Sequence, residues 1–312
     1  MKNKATAFAP ATVANVAVGF DILGFPLENV GDQITVTRVS QPGVTIESIT
    51  GLDKKLPLDP LKNTASLALL ELQRQRHLNH GFTVHIHKGL PLSAGMGGSA
   101  ASAVGAVVAA NALLDQPLEM QECLQMALAG EHVASGAWHA DNVAPCLMGG
   151  LTLIAATEPF SLVNVPVPAG ITCVLIHPHL EIETKASRAA LQSHVQLRDH
   201  IRQSANLAGF LMGCAQNNLN LIEACLRDHV IEPQRAMQIP GFFKAQERAM
   251  QLGALGFSIS GSGPSLFAWA RSPASATTIH QGLCEVFAAQ GLTIDSWVSP
   301  ISTRGAYVMS ES

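Results

Sequence analysis

Charge is scarce in this chain. Asp, Glu, Lys and Arg make up 13% of its 312 residues, against about a quarter in an ordinary soluble domain. The shortfall implies that part of the surface is covered by another subunit, so a homo-oligomer, a dimer, is expected. The net charge of −4 lacks the basic excess that a nucleic-acid partner requires. No apolar run approaches the roughly 20 residues of a membrane span. The start, MKNKATAFAPAT, has no apolar centre of a secretory signal, and a cytoplasmic protein is expected. The cysteines (Cys123, Cys146, Cys173, Cys214, Cys225 and Cys284) form neither a CxxC pair nor a metal-ligand spacing, so they read as reduced thiols. His85/His87 and His177/His179 each share a strand face, but no cysteine or carboxylate cluster accompanies them, which argues against a metal.

Lysine is missing where a phosphate loop most often carries one. Between Gly89 and Leu114 there is no ionisable side chain. What stands there is Pro91, then Gly95, Gly97 and Gly98, where a Cβ would obstruct close approach, then Ser99 as the expected N-cap of an Ala/Val-rich helix. The first amides of that helix and its dipole attract an anion without a cation's help. A plain glycine turn before a core helix is the alternative. A Walker A loop is excluded, because no Gly-Lys-Ser/Thr closes the segment and Lys88 lies upstream. The run from Gly95 to Ala100 matches the dinucleotide pattern GxGxxA, but the helix runs straight into Asp115 and leaves no room for the second strand.

The run Pro91-Leu92-Ser93-Ala94-Gly95-Met96-Gly97-Gly98-Ser99-Ala100-Ala101 resembles the phosphate loop of the GHMP small-molecule kinases, usually PxxxGLGSSAA. Met96 stands for Leu and Gly98 for the first serine, while Ser99 matches the serine used near magnesium. The segments Ala9–Asp21 and His139–Gly150 resemble the first motif and the HxDNVAP segment of the homoserine kinase branch. Thr184–Arg188, Glu232–Gly241 and Ser258–Ser265 follow in the family's order, so the resemblance covers nearly the whole chain.

Strands are expected at Ala5–Ala9, Gln33–Val39, Thr83–His87, Gly150–Ala155, Ile171–His177, Phe257–Ser260 and Leu266–Ala270. Helices are expected at Thr64–His77, Ser99–Leu114, Leu118–Val133, around Ala186–Val195 and over Asp199–Asp228, before a last helix and strand. With Pro159, Pro166 and Pro168, the stretch 158–170 reads as a linker. This is an α+β pattern in two parts. The resemblance implies an N-terminal nucleotide-binding domain over 1–160 and a C-terminal ferredoxin-like domain over 161–312, with the active site between them.

Asp21 is the one ionisable side chain from Ala5 to Leu27. It is either a loop cap or, with Asn15, a substrate contact that pairs with an ammonium. Glu131 falls on the buried stripe of Leu124, Ala127 and Leu128 and needs a cation, either an internal arginine or, as the resemblance implies, magnesium shared with Ser99. Arg188, read in the first turn of a helix capped by Thr184, opposes the helix dipole there and is expected to point back into the cleft. Arg235 either pairs with Asp228 or Glu232 or, as the resemblance implies, joins Arg188 on a substrate carboxylate. The resemblance assigns Asn142 to the attacking hydroxyl, leaves the base unassigned with Asp141 undecided, and gives His139 a backbone role. It implies that Gly261 closes over substrate and phosphates. Asn63 is read either as a cap or as an adenine contact. The implied activity is phosphorylation of L-homoserine by ATP with magnesium. Another GHMP kinase acting on a neutral alcohol and a silent metabolite-binding relative are the rivals.

Overall fold

The structure, a computed structural model, describes residues 2–52, 56–135, 139–158 and 160–312. Its elements run β1 (Lys4–Ala14), β2 (Leu23–Val39), β3 (Val44–Gly51), α1 (Thr64–Arg76), β4 (Gly81–Lys88), α2 (Gly98–Asn111), α3 (Met120–Ser135), α4 (Ala140–Met148), β5 (Leu151–Thr157), β6 (Phe160–Val165), β7 (Thr172–Pro178), α5 (Thr184–Ala189), α6 (Leu197–Ala215), α7 (Leu219–Cys225), α8 (Glu232–Arg235), α9 (Phe242–Gln251), β8 (Gly256–Ile259), β9 (Leu266–Ala270), α10 (Pro273–Ala288), β10 (Ile294–Pro300) and β11 (Tyr307–Glu311).

Two sheets organise these elements. The first runs β11-β1-β2-β4-β3, with β5 paired to the start of β2 and β6 to β5. The second runs β10-β7-β9-β8 with antiparallel neighbours. It is built as strand, helices, two strands, helix, strand, the ferredoxin-like arrangement. The fold is therefore α+β in two units, as expected. The units share one core: Phe25 of β2 meets Phe267 and Trp269 of β9 edge-on, at centroid distances of 6.2 and 5.8 Å.

The element α2 is buried on nearly every side, which its run of Ala, Gly and Val permits and an amphipathic sequence would not. It lies on β1 and β2 so closely that a Cβ on Gly105 would come 2.5 Å from Cγ1 of Ile34 and 3.3 Å from Cβ of Ala9.

Several expectations are corrected. The expected linker over 158–170 contains a strand over 160–165: β6 pairs with β5, Leu162 opposite Ile154, and Pro166 and Pro168 follow the strand instead of interrupting it, while Pro159 lies outside the described residues. With β11 returning to pair with β1, the first sheet takes strands from both sides of position 160. The single helix over 199–228 breaks at Asn217, which is left-handed at φ 54°. Asn218 then caps α7 by accepting from the Leu221 amide at 3.1 Å. The helix around 186–195 is only the six residues of α5. Edge strand β3 and α4, with Pro145 inside it, were not expected.

Replacing Gly by Ala inside a helix ordinarily stabilises by about 0.8–1 kcal/mol. For Gly105→Ala the opposite is expected, a loss of about 1–3 kcal/mol from overpacking against Ile34, measured by denaturant unfolding.

Candidate functional site

A cleft of about 380 Å³ opens between the two units, floored by the glycine loop and walled by residues from 15–21, α3, α4, α5, Arg235 and the loop at Gly261. The loop is gripped from both units. On one side Thr12 of β1 donates its amide to the Met96 carbonyl at 3.0 Å. On the other, the Ser260 hydroxyl donates to the Gly95 carbonyl at 2.6 Å, and the Ser265 amide to that of Ala94 at 3.2 Å. Ser99 is not the N-cap. That position belongs to Gly97, left-handed at φ 69° and without a side-chain cap, and α2 begins at Gly98. A Cβ on Gly97 would sit 2.0 Å from Oγ1 of Thr12 and 2.8 Å from Oδ1 of Asn142. The amides at the start of α2 thus meet the cleft with neither a side chain at 97 nor a cap over them, a suitable anion site.

Released from capping, Ser99 donates its hydroxyl to Oε1 of Glu131 at 2.9 Å. Glu131 is buried on α3 with Leu124, Ala127 and Leu128, as its spacing predicts. The side chain it meets is an imidazole, not an arginine: Nδ1 of His139 lies 3.0 Å from the same oxygen. Burial pulls the His139 imidazole down, but its bond to Glu131 and the charges of Glu131 and Asp141 outweigh this and leave it above the ordinary histidine value. The His139 side chain is therefore part of the site, while its carbonyl accepts the Asn142 and Val143 amides at the start of α4. Ser99 and Glu131 offer one hydroxyl and one carboxylate at the edge of the loop. Among the described residues no cluster of three or more His, Cys, Asp or Glu is set to hold a metal. Two hard oxygen donors beside a suitable anion site fit a magnesium ion that would take its remaining ligands from an anion and water.

The opposite wall carries the charges. Arg188 makes a bidentate pair with Asp21, at 2.8 and 2.7 Å, which raises the guanidinium further. It lies in the last turn of α5, where a cation is favoured by the helix dipole, and Thr184 is the first helical residue, not the cap. The expected opposition to the dipole is therefore absent, yet the side chain does reach the cleft. Arg235 pairs with neither Asp228 nor Glu232. It is 4% exposed and donates from Nη1 to the Gly261 carbonyl at 3.0 Å, the oxygen that also accepts from Nδ2 of Asn15 at 2.9 Å. Burial, and then the like charge of Arg188, hold Arg235 below the usual arginine value. Both guanidiniums rest on the ring of Phe20, each 5.4 Å from its centroid. Phe20 is missed by sequence reasoning, although its place beside Asp21 is a signal. Thr184 closes this wall through a contact with the Ser262 hydroxyl at 3.1 Å.

Asn142 accepts the Thr12 hydroxyl on Oδ1 at 2.8 Å, which leaves its NH₂ group for the cleft. Asn63 caps α1, accepting the Ala65 amide at 3.1 Å and donating to the Pro57 carbonyl at 3.2 Å, so the capping role is realised in a residue that also lines the cleft. Asp141 is 3% exposed, lines the cleft and leaves Oδ1 without a hydrogen-bond partner. Burial, and then the negative charge of Asp21, push its carboxyl up to about 7.

The chain is similar to known proteins over most of its length. Residues 63–150 match the GHMP kinases N terminal domain and residues 190–289 the GHMP kinases C terminal domain. The chain is 47% identical over 307 residues to a homoserine kinase of Xylella fastidiosa (strain M12), covering 98% of this chain and 94% of that protein. It is 46% identical over 307 residues to a homoserine kinase of Xanthomonas campestris pv. campestris (strain B100), with the same coverage. The crystal structure of homoserine kinase from Cytophaga hutchinsonii ATCC 33406 superposes with a TM-score of 0.96 at 42% identity, over 99% of this chain and 98% of that one.

A carboxyl that stays protonated up to about 7 when folded, but only to about 4 when unfolded, makes the folded chain bind a proton that the unfolded chain releases. Its contribution to stability therefore falls as pH rises from about 4 to 7. Asp141→Asn should flatten the dependence of Tm on pH over that window, and an unchanged slope would show that Asp141 titrates as an ordinary carboxyl.

Proposed function

The chain belongs to the homoserine kinases of the GHMP kinase family, and from that premise we propose how its cleft works. The reaction is transfer of the terminal phosphoryl group of ATP to the side-chain hydroxyl of L-homoserine, giving O-phospho-L-homoserine for threonine biosynthesis. One observation carries the assignment of the site: a wall with opposite charges, Asp21 against Arg188 with Arg235 beside them on Phe20, faces a glycine loop edged by Ser99 and Glu131, with Asn142 lining the cleft between them.

An amino acid is a zwitterion, and it can enter by exchanging one ion pair for two. Its ammonium takes Asp21 with Asn15 alongside, and its carboxylate takes the planar forks of Arg188 and Arg235. Phe20 and the Gly261 carbonyl hold Arg235 in place, and Thr184 and Gly261 close over the substrate. Asn142, fixed by Thr12, donates to the hydroxyl oxygen and orients it. Phosphates lie along Pro91–Ala101, against the amides at the start of α2, and Asn63 forms the nucleotide end of the cleft. Ser99 and Glu131 would hold magnesium, which would neutralise phosphate charge when bound. His139 keeps Glu131 oriented. A loose transition state is served by positioning and charge neutralisation, so no strong base is required. The low charged content supports a homodimer, testable by light scattering, and the free thiols support a cytoplasmic setting.

An ADP-release assay across alcohols should favour L-homoserine over mevalonate and galactose, and over L-serine, whose hydroxyl falls one methylene short. Faster turnover of a neutral alcohol would overturn the substrate assignment. Arg235→Leu should raise the KM for homoserine roughly 10- to 100-fold and leave that for ATP within about twofold. Glu131→Gln should lower kcat by about 10² or more and raise the magnesium requirement; near-normal activity at limiting magnesium would remove Glu131 from the metal site.

A further inference from the structure

Beneath the glycine loop lies an ion pair that the reaction as described does not use. Lys88, the last residue of β4, is 1% exposed, and Asp32 of β2 is 0% exposed. The three ammonium hydrogens have three acceptors: the Asp32 carboxylate, the Gly98 carbonyl at 2.9 Å and the Ser102 hydroxyl at 3.1 Å. Asp32 also accepts the Gly89 amide on its other oxygen at 3.0 Å. The pair therefore ties the beginning of the loop, Gly89, to its end, Gly98. Lys88 lines the cleft and Asp32 does not, so the positive end of the pair faces the loop.

Stability is a poor reason for such a pair, since a neutral replacement of similar volume is often as stable or more so. Its attachment gives a better one. The peptide group is planar and trans, so a Gly98 carbonyl held from below turns the Ser99 amide the other way, toward the cleft. The same restraint holds Ser99, whose hydroxyl meets Glu131.

We propose that Lys88, with Asp32 as its counter-ion, is a positioning residue for the nucleotide phosphates: it closes the loop from beneath, aims the amides at the start of α2, and supplies from β4 the cation that the loop itself lacks. The proposal rests on the reading of this loop as the ATP phosphate site.

The test is calorimetric titration with Mg-ADP, which does not depend on the acceptor alcohol, together with Tm and the KM for homoserine. The double variant Lys88→Met/Asp32→Asn removes both charges, while the amide oxygen introduced on β2 can still accept from Gly89. It should melt close to the wild type, lose tenfold or more in ADP affinity and keep the homoserine KM within twofold. A folded double variant with wild-type ADP affinity overturns the proposal. Should that variant fail to fold, Ser102→Ala keeps both charges and removes one acceptor of the ammonium; a two- to fivefold loss of ADP affinity at unchanged Tm is expected, and no loss overturns the proposal. A wild-type protein that binds ADP but does not phosphorylate homoserine would refute the substrate assignment alone. One that does not bind ADP would refute the phosphate site and this proposal together.

Discussion

The amides at the start of α2 set the terms for the rest of this molecule. A helix buried along its length can satisfy its interior groups but not its first turn, and here Gly97 supplies no side-chain cap. Charge brought to that end is held by backbone dipoles that point into the cleft. Much of the surrounding architecture keeps that end bare and correctly aimed. A side chain at 97 is excluded by Thr12 and Asn142, the Thr64 hydroxyl restrains Ser99 by donating to its carbonyl at 3.0 Å, and the second unit grips Gly95 through Ser260.

Because those grips come from two sheets, the loop's shape depends on how the sheets meet. They meet through aromatic side chains, Phe25 against Phe267 and Trp269, in a core common to both. The wall opposite the loop is less relaxed. Asn15, Val16 and Ala17 are consecutive left-handed residues, at φ 71°, 44° and 55°, and a β-branched residue there is under steric strain. The strained turn carries Asn15 to the Gly261 carbonyl and leads to Phe20 and Asp21, so strain and the proposed substrate contacts share one short segment.

Features local in sequence are legible in advance. The glycine spacing, the buried stripe that includes Glu131, the capping choice at Asn63 and the fold class all depend on neighbours within a few residues or on long periodic segments. Relations assembled from distant elements are not. Lys88 lies upstream of the loop and outside its motif, yet a strand turned under the loop brings its ammonium to Gly98. Arg188 reads at the wrong end of its helix because a six-residue helix gives little periodicity. The prolines around β6 read as a linker because flanking a strand and interrupting it look alike until the partner strand is known. Asp21 and Arg188, 167 residues apart, can be assigned to a ligand from sequence but not to each other.

The return of β11 to the first sheet has a bearing on how the chain is made. Residues 307–311 pair with β1, which is synthesised long before them, so the first sheet stays one strand short while the chain between the two strands emerges. A sheet edge open for so long is a template for other chains, and its closure is a contact of very high sequence separation, the slow kind. The Ala-rich edge of β1, with Ala5 and Ala7 buried in the finished sheet, is open to pairing with the wrong partner until β11 arrives.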